Sequence, residues 1–222
     1  MYILIFLVML ILPIWAQINV TSTFKKFSSV SNSRGLTGAQ VARQILDNNG
    51  LYNIRVEHIS GNLTDHFDPS DGVVRLSDAT YNSTSVSAIG VAAHECGHAC
   101  QHAEEYKPIQ VRTAIVPYVN ICSKLWYWVF LAGVLLIEMV PELVYIGIIM
   151  FSAVVLFQLV TLPVELDASG RALKTLENDM ILDYNEIPMA RKVLRAAAMT
   201  YVTALVVSLM QLRRLIRSTR RR

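Results

Sequence analysis

Three side chains within one short segment could do chemistry together, because His94, Glu95 and His98 form the pattern His-Glu-x-x-His. On an α-helix, residues four apart lie on one face, so both imidazoles can bind one Zn²⁺ at about 2.0–2.1 Å. Glu95 lies beside this face and can take a proton from a water that the metal has made acidic. The spacing therefore predicts zinc ligation by the two histidines and general-base chemistry by Glu95, as in a zinc peptidase.

The pattern also arises by chance, as two histidines and a glutamate on the surface of an unrelated helix. Residues 85–93, which precede it, are small and apolar and predict a buried helix that begins near Ser85 and ends near Ala103. Burying two histidines and a glutamate costs several kcal/mol unless a partner compensates for the lost water. Burial therefore favours a metal site over a solvated helix surface.

Two cysteines, Cys96 and Cys100, also lie on this helix, four residues apart. They are alternative zinc ligands, but Cys96 points away from the face of the two histidines, and we interpret both as small buried residues. The chain has three cysteines, which gives no disulfide framework.

The composition indicates a membrane protein. The 222 residues are 53% hydrophobic and the mean hydropathy is +0.40, which is too apolar for an ordinary soluble domain of this size. The uncharged N-terminal run predicts a retained transmembrane helix over residues 1–17, since no basic segment of the kind found in a signal peptide precedes it. Residues 125–140 and 143–162 predict a transmembrane hairpin within residues 116–162.

The last apolar block, residues 196–212, is weaker and either spans the membrane or lies against the catalytic part. Residues 196–222 are thus a C-terminal membrane helix with a tail in which six arginines occupy the last ten positions. This tail is typical of a cytoplasmic membrane anchor, and no nucleic-acid-binding module is visible. The expected fold is a membrane α-helical protein with about four transmembrane helices and a small α+β, zincin-like catalytic domain.

Residues 18–115 are predicted to form the first portion of that domain. Thr37 and Gln40 fit a capping box, and the helix that they begin should end at residues 48–50, Asn-Asn-Gly. Residues 51–59 alternate as a strand does, residues 66–72 are polar and turn-rich, and residues 73–77 are typical of a second strand. The strand at 73–77 precedes the motif helix and is either an edge on which a substrate peptide pairs or an ordinary sheet edge.

A third ligand is expected on the predicted helix over residues 163–195. Many zinc peptidases use the first residue of Glu-x-x-Ala-Asp, which Glu165 and Ala168 match, while Ser169 stands where an aspartate often braces a ligating histidine. Asp167 is the competing ligand. The alternative is that Glu165 is an ordinary acidic residue near the N-terminus of a helix that begins at Pro163.

Three further residues are candidates for supporting roles. His66 could stabilise the oxyanion of a tetrahedral intermediate, or it is an ordinary turn histidine. His102 lies four residues beyond His98 and could be a spare ligand, although three aligned helix ligands would crowd the metal. Arg171 either holds a substrate carbonyl or bridges to Asp167.

Taken together, these segments resemble the bacterial YugP-type family of membrane zinc metallopeptidases over nearly the whole chain. The resemblance rests on four segments, which are Ser33-Arg34-Gly35-Leu36-Thr37-Gly38, Asp65-His66-Phe67-Asp68-Pro69, the stretch from Ala92 to Gln101, and the stretch from Leu162 to Ser169. It implies a membrane-bound, zinc-dependent peptidase in which His94, His98 and Glu165 hold Zn²⁺ and Glu95 is the catalytic base. Ser169 is then this family's own variation.

Two other functions compete with a zinc endopeptidase. A non-catalytic membrane scaffold would hold structural zinc through four protein ligands, whereas a catalytic site keeps one position open. A site-2-type intramembrane protease would carry Leu-Asp-Gly, but here Leu166-Asp167 is followed by Ala168. The expected partners are the lipid bilayer and a protein or peptide substrate that is membrane-associated or unfolded.

The expected location is the bacterial cell membrane, with the side of the active site left open. If all four apolar segments span the membrane, both termini lie on one side and the catalytic part on the other, and the arginine tail favours cytoplasmic termini with the site outside. If the last block does not span, the tail and the site share the cytoplasmic side. Basic residues of the catalytic part, among them Lys25, Lys26 and Arg171, favour the reverse orientation.

Overall fold

The computed structural model describes residues 2–219, which form six helices and one three-stranded sheet. The helices are α1 (Tyr2–Ser28), α2 (Gly38–Asn48), α3 (Val86–Ala103), α4 (Lys107–Leu135), α5 (Glu142–Asn178) and α6 (Ile187–Thr219). The strands are β1 (Arg55–Ile59), β2 (His66–Asp68) and β3 (Val73–Ser77). The predicted mostly helical protein with a short sheet is therefore confirmed at this level.

Contacts within the chain divide it into two units. The helical unit comprises residues 2–15, 108–163 and 200–219, and the α+β unit comprises Ala16–Lys107 and Val164–Met199. Four helices of the described chain are long and apolar enough to cross a membrane, namely Phe6–Ser28, Lys107–Leu135, Glu142–Asn178 and Ile187–Thr219. Their number agrees with the sequence analysis, while the predicted domain boundaries stay predictions.

In the helical unit, glycines allow α4 and α5 to pack closely as a hairpin. A Cβ added to Gly133 would lie 2.4 Å from the backbone nitrogen of Val144, and one added to Gly147 would lie 2.7 Å from Cβ of Phe130. Such close approach of small residues is how helices associate in lipid, where burial of apolar surface gives no driving force.

The helices extend further than the apolar blocks predicted. α1 continues past residue 17 to Ser28, and α6 begins at Ile187, well before the predicted apolar block. The expectation of one helix over residues 163–195 is wrong. α5 runs through Pro163 without a break and ends at Asn178, and α6 begins at Ile187. Pro163 removes the hydrogen bond that its N–H would give to the Leu159 carbonyl, yet the residues on both sides of it belong to the same helix.

The core of the α+β unit lies between α2, the sheet, α3 and the neighbouring parts of α5 and α6. Its largest fully buried side chains are aliphatic, among them Ile45, Leu46, Leu76, Ile89 and Leu176. The capping box of α2 is confirmed, since the Gln40 N–H donates to Thr37 Oγ1 at 3.3 Å and the Thr37 N–H donates to Gln40 Oε1 at 2.9 Å. Ser85, one of the expected residues, caps α3.

The sheet has the order β1-β3-β2, with β1 parallel and β2 antiparallel to β3. The strand over residues 73–77 is thus the central one, and the expectation that it forms an edge is wrong. The edge that contacts α3 is β2, which lies within the segment expected to be a turn, and Phe67 of β2 pairs with Val74 of β3. A three-residue strand carries too little alternation to be recognised from sequence.

Candidate metal centre

The structure brings His94, His98 and Glu165 together. Their ligand atoms all lie within 4.8 Å of one another, and all three residues belong to the α+β unit. Glu165 Oε2 lies 3.3 Å from His94 Nε2 and 3.6 Å from His98 Nε2. Ligand atoms at about 2.0–2.1 Å from a tetrahedral zinc lie roughly 3.3–3.4 Å apart, so the two distances from Glu165 are close to those of a zinc site.

The centre is buried and favours positive charge. Glu165 is 2% exposed and His98 is 9% exposed, so their polar atoms are largely removed from water. Burial alone would lower the pKa of His98, but the hydrogen bond to Glu165 and the charges of Glu95 and Glu165 raise this pKa overall. An environment that stabilises an imidazolium also stabilises a metal cation in its place.

Glu95 is held by the backbone of the edge strand. This carboxylate is 8% exposed, and its Oε2 accepts the N–H of Phe67 in β2 at 3.0 Å. This hydrogen bond restrains the carboxylate, and the amide N–H keeps its proton. Glu95 does not join the group of three ligand residues.

A close contact between α3 and α5 lets the candidate ligands on the two helices meet. A Cβ added to Gly97 would lie 2.7 Å from the backbone oxygen of Ala168. Gly97 lies between His94 and His98, one residue before the second, while Ala168 is one turn beyond Glu165. The absence of a side chain at position 97 therefore sets how near Glu165 comes to the histidines.

The two histidines are each braced at Nδ1. Ser169 Oγ lies 3.1 Å from His94 Nδ1, and Gln101 Oε1 lies 3.0 Å from His98 Nδ1. The sequence left open whether a serine could brace a histidine where related sites carry aspartate, and the contact shows that its hydroxyl reaches the ring. Gln101 was not singled out, although residues three apart on a helix are neighbours, and that spacing from His98 was the available signal.

The competing ligand Asp167 makes other contacts. Its Oδ2 accepts hydrogen bonds from Gln101 Nε2 at 2.8 Å and from Arg171 Nε at 2.6 Å, and it is not among the three grouped ligands. Arg171 also donates from Nη1 to Glu104 Oε2 at 2.7 Å. Of the two roles considered for Arg171, the observed contact is the bridge to Asp167.

The remaining candidates lie outside the group of three. His66 is in β2, with Nδ1 2.8 Å from the Thr64 oxygen, and its role in stabilising an oxyanion stays a prediction. His102 is exposed and packs edge-on against Phe67, so it is not a spare ligand of the grouped residues.

The cysteines are small buried residues, as expected. The Cys96 thiol donates to the Ala42 oxygen at 3.5 Å, and burial raises its pKa well above the ordinary value. Burial also raises the pKa of Cys100. Neither cysteine belongs to the group of candidate ligands among the described residues.

The contact at His94 gives a first prediction. Changing Ser169 to alanine removes the group that holds the Nδ1 side of the ring, and zinc affinity should fall by roughly tenfold, the lower end of the usual effect of such contacts. Changing Ser169 to aspartate supplies a stronger acceptor and should retain or raise the affinity. Competition with a chromophoric chelator measures both, and equal affinities for alanine and serine would contradict a bracing role.

Comparison with known proteins supports the same chemistry. The model of a family described as "Putative neutral zinc metallopeptidase" matches residues 2–220. The chain is 50% identical over 205 residues to "Putative membrane protease YugP" of Bacillus subtilis (strain 168), covering 92% of this chain and 90% of that protein. No solved structure matches the chain significantly. The resemblance noted from the sequence is confirmed, and with it the predicted cofactor, Zn²⁺.

Proposed function

We propose that this chain, which belongs to the neutral zinc metallopeptidase family, is a membrane-bound endopeptidase that uses Glu95 as its general base. The observation that carries the proposal is the convergence of His94, His98 and Glu165 on one point, with Glu95 fixed beside the first histidine. Zinc ligation by these three residues leaves one of four tetrahedral positions open for water or substrate, as catalytic sites require.

The residues around the metal take separate roles. Zinc supplies a Lewis acid that makes a water acidic and polarises the scissile carbonyl. Glu95 keeps Oε2 on the Phe67 N–H, while Oε1 accepts no hydrogen bond from the described residues. Oε1 is therefore the oxygen that takes the proton of the attacking water and passes it to the amine leaving group.

The edge strand β2 contributes to the same site. The backbone N–H of Phe67 donates to Glu95, so it points away from β3 and towards the active centre. A substrate chain that pairs at this edge would meet a strand whose outward donor at Phe67 is already used and whose next outward position is Pro69, which has no N–H. Substrate would then be held mainly through carbonyl groups of the edge, such as that of Phe67.

Two observations disfavour the alternatives. A scaffold with structural zinc needs a fourth protein ligand, and the ligand group of the described residues has three members. A site-2-type protease would use an aspartate of α5 as a ligand, but Asp167 is bound to Gln101 and Arg171 instead. The substrates expected are membrane-associated or unfolded proteins, since four helices of the chain have the length and composition of membrane spans.

Removal of the metal tests the proposal. Detergent-purified protein should contain one zinc per chain and hydrolyse an unfolded protein, and a chelator should abolish hydrolysis until Zn²⁺ is restored. Replacing Glu165 by glutamine should reduce bound zinc strongly, whereas replacing Asp167 by asparagine should leave it bound, because Asp167 is not a ligand. Zinc bound without hydrolysis of any substrate would refute the peptidase, and zinc lost only from the Asp167 variant would refute the ligand set.

A further inference from the structure

Gln101 is a fully buried amide in the last turn of α3, and each of its polar atoms is used. It is 0% exposed. Its Oε1 lies 3.0 Å from His98 Nδ1, and its Nε2 donates to the Val164 oxygen and to Asp167 Oδ2, both at 2.8 Å. A buried glutamine with this many partners has one arrangement available to it.

The partners at Nε2 decide which way the amide faces. A backbone carbonyl and a carboxylate can only accept, so the NH₂ group of Gln101 must face Val164 and Asp167. Its oxygen then faces His98 and can only accept. His98 must therefore carry its hydrogen on Nδ1, which leaves the lone pair of Nε2 directed at Glu165 and the metal position.

The same amide joins the two helices that carry the ligands. Val164 and Asp167 lie on either side of Glu165 in α5, so both bonds from Nε2 fix the segment that carries the third ligand. Arg171 holds Asp167 from its other side and reaches Glu104, the residue that caps the end of α3. The contacts thus form a closed circuit from α3 to α5 and back to α3.

We infer that Gln101 is a positioning residue of the metal centre, which sets the tautomer of His98 and fixes Glu165 against it. The inference rests on the proposed function only in that the centre holds zinc. It predicts that the amide controls metal affinity, although Gln101 has no atom in the ligand group. Partners of this kind change metal affinity by about 10- to 100-fold when they are removed.

The test compares two buried amides. Changing Gln101 to methionine keeps the length of the side chain and removes all three hydrogen bonds, and the zinc dissociation constant should rise about 10- to 100-fold. Asn32 is the matched control, since it is 5% exposed and also makes three side-chain hydrogen bonds, to Thr84 and twice to Leu36, away from the ligands. Changing Asn32 to leucine should lower thermal stability and leave the dissociation constant within about threefold of wild type.

Competition with a chelator gives the zinc dissociation constants of both variants, and each outcome supports or overturns the inference. A dissociation constant for the Gln101 variant within threefold of wild type would overturn the inference, as would an equal loss of affinity in the Asn32 variant. If the wild-type protein bound zinc but hydrolysed nothing, the proposed peptidase function would be refuted. The two dissociation constants would still test the positioning role of Gln101. Wild-type protein without zinc would overturn both.

A second measurement does not depend on a variant that folds. In ¹⁵N-histidine NMR of zinc-loaded wild-type protein, the two histidines that respond to the metal should each show a protonated Nδ1 and a metal-bound Nε2. Coordination through Nδ1 of His98 would overturn the inferred tautomer.

Discussion

Replacing Glu95 by glutamine is expected to leave one zinc per chain and to lower kcat by about 10²- to 10⁴-fold, the usual contribution of a general base. Glutamine has the same shape, and its oxygen can still accept the N–H of Phe67, so the side chain keeps its position. What it loses is the ability to take a proton. The measurement is the rate of hydrolysis of an unfolded protein or a quenched fluorescent peptide, with zinc content determined on the same sample.

A matched control is available on α5. Glu177 lies in the last turn of this helix and is exposed, and its change to glutamine removes a charge without touching the ligand group. This variant should retain most of the wild-type rate. If the Glu95 variant kept full activity, Glu95 would not be the base. If it lost zinc together with activity, the residue would support the metal and not the proton transfer.

The meeting of His94 and His98 was the most predictable feature of the candidate site, because it is local. His94 and His98 are one turn apart, so a helix alone places their rings together, and the small apolar run before them indicates burial. Glu165 is distant in the sequence and was reached through its match to a known pattern of residues. The structure then places it within 3.3 Å of His94 Nε2.

Properties that depend on distant contacts were not predictable from local pattern. The order of the sheet is set by pairing across the chain, so the strand over residues 73–77 turned out to be central and not an edge. The helix through Pro163 was missed because a proline after an apolar run is a strong local signal for a new helix, whereas a long helix can also contain a proline in its interior, as α5 does. The bonds from Gln101 to Val164 and Asp167 depend on α5 lying beside α3, which no spacing within α3 reveals.

Ser169 shows how the same physical requirement can be met by a different residue. A ligating histidine needs an acceptor at its second nitrogen, and a carboxylate is the stronger choice. Here a hydroxyl serves His94 and an amide serves His98, so neither brace adds a negative charge to a site that already holds Glu95 and Glu165. Neutral braces at both rings limit the negative charge that must be buried near the metal.

Changing Gly97 to alanine is expected to cost roughly 1–3 kcal/mol of stability, the usual range for overpacking, and to weaken zinc binding by at least about tenfold. The added Cβ would lie 2.7 Å from the backbone oxygen of Ala168, and a backbone atom cannot turn aside as a flexible side chain can. α3 and α5 must then separate by several tenths of an ångström, which moves Glu165 away from His94 and His98. Thermal unfolding in detergent and chelator competition measure the two effects.

Gly170 is the control for Gly97. It lies in α5 two residues beyond Ala168, and the change to alanine should stabilise the protein there instead of destabilising it. A Cβ at Gly170 would meet no heavy atom within 4 Å, so alanine should stabilise the helix by up to about 1 kcal/mol. Zinc affinity should stay within about threefold of wild type, since the spacing of α3 and α5 does not change. If both glycine variants bound zinc as the wild type does, close packing at Gly97 would not be what holds the three ligands together. A loss at Gly97 alone would show that the distance between two backbones, and not the ligand types by themselves, sets the affinity of this centre.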